Sequence, residues 1–159
     1  MENIKNNTAI RHHHIKYPRD LVAPAWKTLE YATLGDIIML CKNLKNNNLQ
    51  NDIAEHYGFR NLDVYYSHIG TIRVLRNLCA HGHNIFDLTL QKSIKRGPIS
   101  NLNGNEHHNL MGALRVILFL LSTISIHRKQ DLINEISQLL VRNKNLKIYP
   151  IVSYLEAIK

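Results

Sequence analysis

The chain has 159 residues with a formal net charge of +8, 45% apolar residues and two cysteines, enough length and apolar content for one domain without disulfides or a structural metal. Its longest apolar run, Val116 to Leu121, is far too short to span a bilayer, and Met1-Glu2-Asn3-Ile4-Lys5 lacks the apolar core of an export signal. A soluble, cytoplasmic protein with reduced thiols is expected, and its positive charge favours a polyanionic partner, with nucleic acid the commonest.

Residues 1–22 hold Arg11-His12-His13-His14 and Lys16 without a helical period, and read as a polar lead-in to a domain spanning 23–159. From Pro24, the positions Trp26, Leu29, Thr33, Ile37, Leu40, Cys41 and Leu44 recur at helical spacing, which predicts one amphipathic helix over 24–45 with Gly35 inside it. Leu49, Ile53 and Tyr57 predict a short helix closed by Gly58. A third helix, opening after Asn61 or Asp63, is expected to bury Tyr65, Ile69, Ile72, Leu75 and Cys79, with Arg73, Arg76, Asn77 and Ala80 on the adjoining face. Residues 84–104 contain Gly97-Pro98 and Asn103-Gly104 and read as a long basic loop. Beyond it, Leu110 to Ile124 and Leu132 to Leu140 predict two more helices, and Pro150 opens a short terminal one. No alternating pattern argues for a sheet. The expected fold is all-α, an antiparallel bundle of about five or six helices with a long basic loop.

The chemistry concentrates in Arg76-Asn77-Leu78-Cys79-Ala80-His81. Cutting RNA without a metal requires a base for the 2′-hydroxyl proton, an acid for the leaving 5′-oxygen and a cation for the phosphorane. Imidazole serves as base or acid near neutrality, and guanidinium forks match phosphate oxygens. Asn77 adds an amide that can contact ribose or position either the histidine or the arginine. Residues five apart on a helix are rotated by about 500°, some 140° beyond a full turn, so Arg76 and His81 do not converge on a continuous helix. Either the helix ends at His81, with Gly82 as terminator, or a two-fold dimer brings two motifs to one cleft.

Together with Ala25-Trp26, Glu30, Thr33-Leu34-Gly35-Asp36 and the stretch from Asp52-Ile53-Ala54 to Gly58, the motif resembles the bacterial Abi-like (AbiD/AbiF type) abortive-infection proteins of the HEPN superfamily. Arg76, Asn77 and His81 match the motif of that superfamily position by position. The resemblance implies a dimeric helical domain that cleaves RNA without metal, leaves a 2′,3′-cyclic phosphate, and acts in phage defence or as a toxin, with an antitoxin as a possible partner. Members are often longer, with a further helical region upstream, and commonly continue after the histidine with basic and aromatic residues. Here the run is Gly82-His83-Asn84-Ile85-Phe86-Asp87.

Arg76, Asn77 and His81 are therefore the expected catalytic residues, and Arg73, His83, Lys92, Lys95 and Arg96 the expected RNA contacts. His83 also reads as a plain exposed loop histidine or as an additional proton carrier. No cofactor is expected. His12-His13-His14 and His107-His108 invite a metal, but no spacing supplies three or four converging ligands. The rival function is a non-catalytic RNA-binding module held in a ribonucleoprotein with a small RNA, and a third is a helical subunit that only dimerises.

Overall fold

The computed structural model describes residues 7–99 and 102–142. Among them are seven α-helices, one 3-10 helix and no strand, so the described residues are all-helical as expected. The predicted terminal helix at Pro150 lies outside the described residues. The chain divides into two compact units, Met1–Gln50 and Asn51–Lys159.

In the first unit, the segment read as a lead-in contains helix α1, Thr8–Lys16. Asn7 caps it by accepting from the Ala9 amide at 2.8 Å, and its buried residues, one turn apart, are Ile10 and His13. The apolar stripe is hidden from a sequence reading because half of it is histidine. His13 Nε2 meets Asp20 Oδ2 at 2.9 Å beyond the end of the helix.

The single helix predicted over 24–45 is two helices, α2 at Ala25–Leu29 and α3 at Leu34–Lys42. The break is a capping box. Thr33 Oγ1 accepts from the Asp36 amide at 3.2 Å, while Asp36 Oδ2 accepts from the Thr33 amide at 2.9 Å and its hydroxyl at 2.8 Å. Thr33 has extended dihedrals, φ −73° and ψ 162°, which no helix interior accommodates. Gly35 therefore lies in a first turn rather than mid-helix. The bonds from Thr33, side chain first, hold the Asp36 carboxyl below its ordinary range. Trp26, Leu29 and Leu40, expected on a buried stripe, are exposed, and Ile38 is the buried residue of α3.

Helix α4, Asn47–His56, closes as predicted at Gly58, whose φ is +79°. The Phe59 amide donates back to Ala54 O at 2.9 Å, which delivers the Phe59 ring into the core. There it makes edge contacts with Tyr65, His68 and Phe119 at centroid distances of 5.5, 5.0 and 5.4 Å. Asn61 then caps the longest helix, α5 at Leu62–Ala80, by accepting from the Val64 amide at 3.1 Å. Helices α6, Leu110–Ile124, and α7, Ile126–Arg142, pack on each other through Met111, Leu114, Leu118 and Ile133. Helix α5 packs on α6.

The basic loop is irregular as expected but firmly anchored. Leu90, Ile94, Ile99 and Leu102 are buried in the core with Val116 and Leu120. The 3-10 helix Gly104–His108 fastens the loop through two reciprocal pairs. The Leu90 amide donates to His108 O at 2.7 Å and His108 Nδ1 bonds Leu90 O at 3.1 Å. The Ile94 amide donates to His107 O at 2.9 Å and His107 Nδ1 bonds Ile94 O at 2.6 Å. Both histidines are thereby loop fasteners.

His68 is fully buried on α5, with Nδ1 on Val64 O at 2.7 Å. Burial pushes its pKa below the ordinary value of 6.5, against the opposing effect of the Val64 bond. An imidazole lowered in the folded state binds fewer protons than in the unfolded chain, so its contribution is complete above the unfolded pKa and is lost as pH falls below about 6.5. Thermal unfolding measured from about pH 8 to pH 5 should show wild type losing stability on the acid side by up to about 1.4 kcal/mol per pH unit relative to His68→Gln.

Candidate active site

The end of α5 sets the geometry. The His81 amide donates to Asn77 O at 3.0 Å, so His81 keeps helical register as the capping residue. Gly82, with φ +67°, turns the chain. Its amide reaches Cys79 O at 3.1 Å and the His83 amide reaches Leu78 O at 3.0 Å, the paired bonds of a Schellman closure. The helix thus ends at His81, as Gly82 led us to expect. Because His81 is still in register, the angle of roughly 140° between it and Arg76 persists.

Arg76 does not stand straight out. Its Nη1 donates to Asn77 Oδ1 at 3.1 Å. Asn77 lies about 100° round the helix from Arg76 and about 40° from His81, so the bond draws the guanidinium towards the histidine's side. The amide's contact is therefore with the arginine, one of the partners that the sequence left open.

Arg73, Arg76, Asn77, Cys79, Ala80, His81 and His83 are all exposed. Cys79 was expected on the buried stripe. The stripe holds through Tyr65 and Leu75, and the last turn carries mostly exposed positions. No aspartate or glutamate occurs from Val64 to Phe86, so the exposed end of α5 presents two arginines and two histidines with no carboxylate in the same stretch. Such a surface attracts phosphate. The His81 and His83 rings stand 6.4 Å apart at 73°.

The loop residues belong elsewhere. Lys95 Nζ pairs with Asp63 Oδ2 at 3.2 Å and its amide donates to Ser67 Oγ at 3.1 Å, so Lys95 sits beside the first two turns of α5. Asp63 and His81 are separated along the axis by about 27 Å at the helical rise. Lys92, Lys95 and Arg96 are exposed, and the contacts of Lys95 with Asp63 and Ser67 set it apart from the motif cluster. Among the described residues, no group of three His, Cys, Asp or Glu side chains stands close enough to hold a metal ion, and no helix is long and apolar enough to cross a membrane.

The family model described as Abi-like protein matches residues 1–87, more than half of the 159-residue chain and inclusive of the whole motif. The chain belongs to the Abi-like protein family. The match runs through α1 to α5 and ends six residues after His81, so α6 and α7 of this Abi-like protein lie beyond it. No curated protein and no solved structure matches the chain.

Proposed function

We propose that this Abi-like protein is a metal-independent RNA endonuclease of the HEPN type that acts in phage defence or as a toxin in the cytoplasm. The observation that carries the reading is the Arg76–Asn77 hydrogen bond beside His81 on a carboxylate-free helix end. Arg76 steadies the charge of the phosphorane, His81 transfers a proton, and Asn77 aims the guanidinium. Membership of the Abi-like family supports the role in abortive infection.

The remaining angle between Arg76 and His81 supports a homodimer in which Arg76 of one copy and His81 of another meet at one phosphate. Purified protein incubated with single-stranded RNA in excess EDTA tests the reading. Cleavage that persists supports it, and RNA that is bound but stays whole favours the second reading.

That second reading is a non-cutting RNA-binding module in a ribonucleoprotein with a small RNA. It draws on the anchored basic loop, whose cations face solvent and whose Lys95 pairs with Asp63 at the start of α5. On either reading, replacing Lys92, Lys95 and Arg96 together with glutamine should weaken RNA binding and reduce the slope of log affinity against log salt by about 2, at roughly 0.7 per single-strand phosphate contact. Fluorescence anisotropy over a salt series measures it, and an unchanged slope removes the loop from the RNA surface. An antitoxin would act by covering the motif or the loop.

A further inference from the structure

The geometry points to His83 as a second catalytic residue, which shares proton transfer with His81 on a single copy of the chain; this rests on the RNA-cleaving reading above. Transesterification moves two protons. One imidazole takes the proton from the 2′-hydroxyl as its oxygen forms the new bond to phosphorus. The other gives a proton to the 5′-oxygen as the bond from phosphorus to that oxygen breaks. The products are a 2′,3′-cyclic phosphate and a 5′-hydroxyl, and solvent restores both rings. With Arg76 of one copy and His81 of another at each phosphate, a single His81 leaves one of these roles unfilled.

His83 is held where the second role is needed. Upstream, the Schellman closure fixes its amide on Leu78 O at 3.0 Å. Downstream, the Phe86 amide donates to Asn84 Oδ1 at 3.0 Å and pins the chain again. Between these two anchors the positive φ of Gly82 turns the chain back at the helix end, and the two rings come to 6.4 Å between centroids. Catalytic hydrogen bonds span roughly 2.6–3.2 Å, so one phosphate can be reached by both rings. Both rings are exposed, which leaves the approach of an RNA strand open. The other ionisable groups of the segment are Arg73, Arg76 and Cys79 on α5 and Asp87 beyond it. Arginine stays charged throughout and cannot exchange the proton.

The test is single-turnover cleavage in EDTA across about pH 5 to pH 9 by wild type, His83→Ala, His83→Gln and His81→Ala, with folding checked by circular dichroism. Wild type should give a bell-shaped profile. Both His83 variants should lose one limb of it and about 10²–10⁴-fold in rate, because glutamine keeps the size and a hydrogen bond but transfers no proton. A substrate with sulfur in place of the 5′-bridging oxygen leaves without an acid, so it should rescue the variant that lacks the acid and not the variant that lacks the base. Retention of both limbs by His83→Ala, at a rate within a few-fold of wild type, overturns the assignment while leaving the nuclease reading intact. Equal rescue of both alanine variants, or of neither, also overturns it. If wild type cleaves no RNA, the nuclease reading fails and His83 falls with it.

Discussion

Arg76→Ala and His81→Ala should each leave a folded protein whose RNA cleavage is reduced by about 10²–10⁴-fold, the usual worth of a phosphorane-stabilising cation or a proton carrier. Folding should be spared because both side chains are exposed and neither backbone amide depends on them. The more informative result comes from mixing the two inactive variants. If Arg76 and His81 meet across a dimer, a mixed pair rebuilds one whole site from the intact residue of each copy. Random assortment then restores about a quarter of wild-type activity, since about half of the dimers are mixed and one of their two sites is whole. A cis site restores nothing. The angle of roughly 140° that survives between the residues argues for restoration. Asn77→Ala should cost less than either, and its effect should vanish in an Arg76→Ala background, because the amide acts through the guanidinium it holds at 3.1 Å.

Gly112→Ala should be the most destabilising small substitution in the second unit. A Cβ at Gly112 would run into the main-chain carbonyl of Glu106 and come within 3.0 Å of Ile94 Cδ1. Glu106 is held in turn. Its carboxylate accepts from the Asn103 amide at 2.9 Å and pairs with Arg115 at 3.2 Å, so the carbonyl cannot simply retreat. Moving it drags His107 and His108, and with them the loop they fasten at Leu90 and Ile94. A loss of about 3 kcal/mol, at the upper end of overpacking effects, should lower the melting temperature by roughly 10 °C. Gly70→Ala on α5 is the control. Nothing lies within 4 Å of its added methyl group, so it should gain up to about 1 kcal/mol from helix propensity. Equal melting temperatures for the two variants would contradict this account of how the loop is held.

The parts of the fold that were legible in the sequence are those in which local chemistry and tertiary structure agree. Asn61 and Gly82 bound α5 because a side-chain cap and a left-handed glycine act within a few residues of themselves. The break at Thr33 was signalled by Thr-x-x-Asp, but helical spacing that continued through Leu29 and Ile37 concealed it. Helix α1 was missed because its buried face includes His13, which reads as polar until Asp20 is placed 2.9 Å away. That Arg76, Asn77 and His81 share the end of one helix was legible, since they are close in sequence. The bond between Arg76 and Asn77 was not, because a side-chain rotamer decides it. Nor was the distance from Lys95 to the motif, which depends on the long-range pairing of the loop with Asp63 and Ser67.

The central claim is that this Abi-like protein cuts RNA through its own side chains, and the ends of the products test it most directly. RNA incubated with the protein in EDTA should yield fragments ending in a 2′,3′-cyclic phosphate, each followed by a fragment with a 5′-hydroxyl. A single 2′-deoxy substitution at the cleaved nucleotide should abolish the cut, because it removes the nucleophile. Fragments carrying a 5′-phosphate, or cleavage that appears only when magnesium is added, would contradict the assignment of Arg76 and His81 as the catalytic machinery.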